Sequence, residues 1–226
     1  TPKPSSAASD VYKRQIKKYN TCPKQFFHVK VVKDCEDPKT DATDYGKEFH
    51  EAAEFYIRDG VALPPQFAFV KEALDKLNAY SGEKHCEFKM GLTANLEPCG
   101  FFAKDVWWRG VADLLIIDGT EARCIDYKTG KSAKYADMDQ LELMAMAIFK
   151  HFPQVEVVRG GLLFVLAKAF PKAKYHIENE GKMWEKWLSE YKRMEMSHKT
   201  GVFNPKPSGL CIKHCPVLSC PHNGRN

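Results

Sequence analysis

Asp113, Asp126 and Lys128 are ionisable residues set inside apolar runs. The runs are Gly110-Val111-Ala112-Asp113-Leu114-Leu115-Ile116-Ile117 and Cys124-Ile125-Asp126-Tyr127-Lys128-Thr129-Gly130. Asp118-Gly119-Thr120 reads as a tight turn between them, so the two runs are expected to pair as a hairpin. Side chains alternate along a strand, which puts Asp126 and Lys128 on one face, and the hairpin brings Asp113 toward them. Two carboxylates and an ammonium on one patch of sheet are costly in a plain core. They make sense around a divalent metal and a phosphate. Hydrolysis of a phosphodiester needs charge neutralisation, an activated water and a stabilised leaving oxygen, and one or two Mg²⁺ or Mn²⁺ ions supply all three. Hard cations take carboxylate oxygens, so Asp113 and Asp126 fit as ligands, with the backbone carbonyl of Tyr127 as a third oxygen. Lys128 would orient the attacking water or offset charge on the phosphate in the transition state.

Two residues outside the hairpin fit the same chemistry. His50 lies in Gly46-Lys47-Glu48-Phe49-His50-Glu51. Its imidazole would complete the metal shell and suits Mn²⁺ better than Mg²⁺. Taken alone, it reads as a structural histidine. Glu51 and Glu54 read as surface carboxylates, with Glu54 sharing the His50 face of a helix. Gln140 follows the hairpin in Asp139-Gln140-Leu141-Glu142-Leu143-Met144. It reads either as a polar residue of a helix N-terminus or as a hydrogen-bonding partner of a nucleic-acid strand or of the active-site lysine.

The elements that must position these residues follow from pattern. Pro23 sits early in a helix begun near Tyr19, where its missing N–H costs nothing. Asp44 caps a helix running to about Arg58, with Phe49, Ala52, Ala53 and Tyr56 on one face. Residues 60–65 read as a linker and 66–79 as an amphipathic helix. A β-region runs from Cys86 to Thr93, a turn-rich stretch to Lys104, and then the hairpin. Met138–Phe152 is a strongly apolar helix, Val155–Leu166 a buried strand, and Lys182–Met196 a charged helix. The order of helices, hairpin, helix and strand implies an α/β core with a mixed central sheet.

The chain has 226 residues, enough for one domain with embellishments. Its hydrophobic fraction of 44% supports a sizeable core, and a formal net charge of +5 permits a nucleic-acid partner without demanding one. It holds no apolar run of about eighteen residues, which excludes an ordinary membrane-spanning helix. The start lacks the pattern of a secretory signal, which places the eight cysteines in a reducing, cytoplasmic setting, that of a bacterium or of the host of a virus. Cys35, Cys86, Cys99 and Cys124 have no ligand spacing and read as free thiols, Cys124 facing the core. Residues 1–15 read as unstructured. Ser5 to Gln15 is similar to translated sequencing-adapter read-through, in which case the true start is missing. Residues 16–200 read as the folded domain, and 201–226 as a cysteine-rich tail packed on the N-terminal region.

Gly46-x-x-x-His50, then Gly110-Val111-Ala112-Asp113, then Asp126-Tyr127-Lys128-Thr129-Gly130, then Gln140-Leu141 together resemble the PD-(D/E)XK nuclease superfamily. Within it they are most similar to the RecB-like branch, with its CRISPR-adaptation and phage exonucleases, over roughly residues 16–220. The resemblance implies a restriction-endonuclease-like fold. It assigns His50, Asp113 and Asp126 to metal, Lys128 to catalysis and Gln140 to the helix motif after the hairpin. That motif often carries a tyrosine four residues after the glutamine, where Met144 stands here, and Tyr135 is another tyrosine nearby in sequence.

Cys211, Cys215 and Cys220 fall within ten residues, a spacing that suits zinc or an iron–sulfur cluster. The iron–sulfur members of the branch pair one early cysteine with three near the C-terminus. By that resemblance Cys22, followed by Pro23, joins the three around a 4Fe–4S cluster. The alternative is a local zinc site in which His222 or His214 is the fourth ligand. Either metal is structural, since four protein ligands leave no open position.

The expected activity is metal-dependent DNA exonuclease, single-strand-preferring, in recombination, repair or phage genome processing. Its rivals are a structure-specific or non-specific endonuclease, an RNA-directed nuclease, and a non-catalytic DNA-binding module, with a homo-oligomer compatible with each. Lys128, Lys131, Lys134 and Gln140 would meet the nucleic acid, with Lys168, Lys172 and Lys174 along the same groove. Phe101, Phe102, Trp107 and Trp108 would stack bases, although aromatics beside a core strand are more often packing.

Overall fold

The computed structural model of the chain describes residues 12–36, 42–134 and 136–225. Tyr135 and the beginning of the adapter-like stretch lie outside them. The chain divides into two units, Thr40–Met183 and Thr1–Lys39 with Trp184–Asn226.

In the first unit a six-stranded sheet has the order β2-β1-β3-β4-β5-β6. Its strands are β1 Glu83–Thr93, β2 Pro98–Cys99, β3 Val106–Asp118, β4 Glu121–Lys128, β5 Val157–Phe164 and β6 Lys172–His176. Only β4 and β5 pair in parallel, and helix α5 (Met138–His151) makes the crossover between them. The sheet is therefore mixed, as the order of elements implied. The β3–β4 hairpin turns on Gly119-Thr120, with Asp118 opposite Glu121. Gly119 takes φ +58, the left-handed first position that a tight hairpin turn demands.

Helices cover both faces. On one, α3 (Ala42–Asp59) buries Phe49, Ala53 and Ile57 at four-residue spacing. The expected helix over 66–79 is a 3-10 turn, Pro65–Val70, leading into α4, Lys71–Asn78. The tight turn lets Phe67 and Val70 join Leu74 and Leu77 in the core beneath. These side chains pack with Leu114, Ile116, Ile125, Tyr127 and Leu163 of the sheet. On the other face Leu141 of α5 packs with Leu162 and Phe164. Eight residues of α5 from Leu141 to Phe149 are buried, so this helix is apolar nearly all round and lies inside the unit. Strand β6, absent from the sequence reading, alternates exposed Lys172 and Lys174 with half-buried Ala173 and Tyr175, and among the described residues it pairs with β5 alone.

The second unit holds α1 (Tyr12–Thr21), which begins inside the segment expected to be unstructured. It continues with α2 (Pro23–Phe26), a π-helical turn Phe27–Val32, most of α6 (Glu180–Thr200) and α7 (Leu210–Lys213). The Tyr19 hydroxyl donates to the Arg193 carbonyl at 3.2 Å and lies 2.7 Å from Ser197 Oγ. Phe26 meets His198 edge-on at 5.8 Å and stacks with Phe203 at 6.3 Å, so N- and C-terminal segments share one small core.

Candidate active site

Strict alternation along β1 would put Cys86 and Phe88 on one face of the sheet. Instead Cys86 packs in the core beneath α3, while Phe88 lies against His151 and Phe152 at the end of α5. The break falls on Glu87, which takes φ +50, a left-handed conformation that is unfavourable for a residue with a Cβ. Strand β3 switches faces at the same level. Leu114 lies in the α3 core, whereas Met144 of α5 sits against Gly110. Asp113, between them, stands across from Glu87, flanked by the Cys86–Leu114 and Phe88–Ala112 pairs.

The switch gathers the ionisable residues. His50 of α3 places Nδ1 3.3 Å from Asp113 Oδ1 and 3.9 Å from Glu87 Oε1. The three donor atoms lie within 4.8 Å of one another, close enough to share a metal ion. Asp113 is buried, and its Oδ2 accepts the Tyr127 N–H at 2.5 Å, which fixes the carboxylate to the neighbouring strand. Burial pulls the His50 pKa down. Hydrogen bonds to Asp113 and Glu87, with the charges of Asp113 and Asp126, outweigh that and raise it to about 10. Burial, helped by Asp113, also holds the Tyr127 hydroxyl protonated.

Asp126, on the next strand, belongs to a second group. Lys128 Nζ is 2.5 Å from Asp126 Oδ2 and donates to Gln140 Oε1 at 3.1 Å. The Gln140 amide in turn donates to Asp126 Oδ1. Asp126, Lys128 and Gln140 form a closed ring of one ion pair and two hydrogen bonds, in which the glutamine holds both the carboxylate and the ammonium. Lys128 keeps about a third of its side chain exposed, so the ring opens to solvent on one side.

A model of the PD-(D/E)XK nuclease superfamily matches residues 14–220. The chain belongs to this superfamily. A crystal structure described as a "Putative exonuclease" from Eubacterium rectale superposes with a TM-score of 0.53 at 13% identity, covering 96% of this chain and 92% of the other. A second solved structure, SSO0001, aligns over 94% of this chain and 95% of its own at 11% identity, with a TM-score of 0.38. No curated protein matches the chain. The restriction-endonuclease-like α/β fold expected from the sequence is the observed one.

In this PD-(D/E)XK nuclease, His50 meets Asp113 of the hairpin, and Gln140 meets its Asp126 and Lys128. Glu87 went unread. Its neighbours Lys84-His85-Cys86 and Phe88-Lys89 give no metal-ligand spacing, and its position depends on a backbone turn that sequence periodicity does not show. Glu54, by contrast, pairs with Arg58 one turn along α3, as a surface carboxylate would. Met144, where the motif often has tyrosine, is buried. Lys131 and Lys134 are exposed on the segment after β4. Trp108 is wholly buried, so it is packing rather than a base contact.

In the second unit, Cys22, Cys211, Cys215 and Cys220 line one small cavity, and His222 lines it too. His214 is not among its walls. Backbone N–H groups of Lys206 and Ser208 point at Cys22 Sγ and Cys211 Sγ, each at 3.4 Å. Hydrogen bonds of this kind stabilise metal-bound thiolates. Asn223 Nδ2 donates to the carbonyls of Cys215 at 3.1 Å and Val217 at 2.9 Å, closing the loop that carries two of the cysteines. The donor set suits either metal raised by the sequence. Cys35, read as an isolated thiol, packs against Cys215 and Cys220 and groups with His28 and Asp34.

Proposed function

We propose that this nuclease is a divalent-metal-dependent DNA exonuclease of the RecB-like branch, with a preference for single strands, serving recombination, repair or phage genome processing. The observation that supports it best is the pair of groups on adjoining strands: His50, Glu87 and Asp113 within metal-sharing distance, and Asp126 locked to Lys128 by Gln140.

Asp113, Asp126, His50, Glu87 and the Tyr127 carbonyl are the proposed holders of Mg²⁺ or Mn²⁺. The ion would supply Lewis acidity to the phosphate and lower the pKa of a bound water. The chain's own residues do the positioning. Asp113 is fixed by the Tyr127 N–H and cannot swing away when a phosphate arrives. Lys128 sits at the open side of the ring, where its ammonium can hold a water or meet the charge that grows on the phosphoryl oxygens. Gln140 accepts from Lys128 and donates to Asp126, and so holds the ammonium and the carboxylate in fixed positions at the mouth of the site. Lys131, Lys134 and Gln140 are the proposed contacts to the strand.

The four cavity cysteines are the proposed ligands of a structural 4Fe–4S cluster. His222 supports a second reading, zinc held by Cys211, Cys215, Cys220 and His222, because it lines the same cavity.

The deciding experiment uses end-labelled single- and double-stranded oligonucleotides with Mn²⁺, alongside closed circular single-stranded DNA. Release of mononucleotides or short products from linear DNA, with the circle intact, supports the exonuclease. Nicking of the circle replaces it with an endonuclease. No cleavage of any substrate, with binding retained, leaves a DNA-binding module. Iron and zinc analysis with a visible absorption spectrum separates the two metals.

A further inference from the structure

Phe102 is 77% exposed, more than any other large apolar side chain among the described residues. A lone exposed phenylalanine needs no explanation, but this one has company. Phe101 meets it edge-on at 5.0 Å. The Arg109 guanidinium lies 5.4 Å from the Phe101 ring and 5.6 Å from the Phe102 ring, and Lys89 Nζ lies 6.0 Å from each. Two cations from two different strands thus bracket one pair of rings.

The strands fix where this cluster lies. Arg109, Val111 and Asp113 alternate onto one face of β3, with Gly91 opposite Arg109 and Lys89 opposite Val111. That face is the open one, since Trp108 and Ala112 of the opposite row are buried while Arg109 and Val111 are half-exposed. The segment bearing the phenylalanines crosses it at Gly91. A Cβ there would come within 2.9 Å of the Cys99 carbonyl and 3.0 Å of the Gly100 carbonyl, so glycine is what lets the backbone lie so close. The rings and cations therefore share a strand face with Asp113. The offset from Asp113 to Arg109 is four residues, about 13 Å at ~3.3 Å per residue. At ~3.4 Å per stacked nucleotide that is within about four nucleotides.

We propose that Phe102, steadied by Phe101, is a stacking platform for a nucleobase of a single strand whose scissile phosphate lies at the carboxylate site, and that Lys89 and Arg109 bind the flanking phosphates. The proposal rests on the nuclease reading above. Its chemistry favours an unpaired strand because the bases inside a duplex have both faces covered by their neighbours, whereas every base of a single strand has a π-face to offer. The cations give affinity that falls with salt.

The test compares Phe102→Ala, Phe102→Trp and the wild type, with Ca²⁺ in place of Mn²⁺, by fluorescence anisotropy on a single-stranded oligonucleotide and on a blunt duplex. Phe102→Ala is expected to weaken single-strand binding about tenfold or more, to leave blunt-duplex binding unchanged, and to keep its melting temperature. Phe102→Trp is expected to restore binding. A single abasic site walked in from the end should weaken wild-type binding at one register within about four nucleotides of the cleaved bond, and Phe102→Ala should be blind to it. Equal affinity of wild type and Phe102→Ala for the single strand overturns the proposal. A Phe102 effect in a protein that cleaves nothing with Mn²⁺ overturns the nuclease reading but leaves the platform.

Discussion

Asp113, Asp126 and Lys128 stand on central strands of a six-stranded sheet, with Asp126 and Lys128 in register with Leu162 and Phe164 of β5. Cys211, Cys215 and Cys220 stand on a four-residue helix and the turns after it, held by contacts such as Asn223 to the Cys215 and Val217 carbonyls. The first site is preorganised by the fold. Both carboxylates there are buried, and the fold tolerates them because His50 and the Tyr127 N–H face Asp113 while Lys128 and Gln140 face Asp126. The second is a ligand set whose scaffold is sparse, so a metal there would contribute to folding itself. The contrast teaches that a metal in the first region would serve chemistry and one in the second would serve stability.

The largest break of this contrast is at the ring. Asp126→Asn is expected to lower single-turnover cleavage with Mn²⁺ about a thousandfold, with the melting temperature within a few degrees of wild type. A matching collapse in stability would make Asp126 structural. Next, Cys215→Ser is expected to lower the unfolding free energy by about 2 kcal/mol or more and to abolish iron or zinc content, with residual cleavage per folded molecule intact. Unchanged denaturant midpoint and metal content would refute the structural metal. Third, Glu87→Gln is expected to raise the Mn²⁺ concentration for half-maximal activity about tenfold, read from a metal titration, since one anionic donor is lost. Smallest is Glu87→Gly. It relieves the left-handed conformation and is expected to leave stability at or up to about 1 kcal/mol above wild type while activity falls. A loss of stability there would show that the Glu87 side chain holds the strand switch rather than being strained by it.

The hairpin was legible because its signals are local. An Asp-Gly turn between apolar runs, and a lysine two residues after an aspartate, fix pairing and face by strand period alone. His50 and Gln140 were legible through their order relative to the hairpin, and α5 through its unbroken apolar content. Strand β6 was not, because a short polar edge strand has no distinctive period. The 3-10 turn before α4 was missed because its apolar spacing imitates a helix.

By itself, then, the sequence determined the donor types, the hairpin that carries Asp113 beside Asp126 and Lys128, and the α/β class, since all of these rest on short-range periodicity. The fold, rather than any local spacing, decided that Glu87 joins His50 and Asp113, that Cys22 (expected there only through the family resemblance) meets the tail cysteines, and that Phe102 stands exposed beside Arg109 and Lys89. Each of these depends on where distant backbone crosses: a face switch at φ +50, two chain ends closing on one cavity, a loop passing over Gly91. Such crossings are set by the summed packing of the whole unit, and no local pattern of residues encodes them.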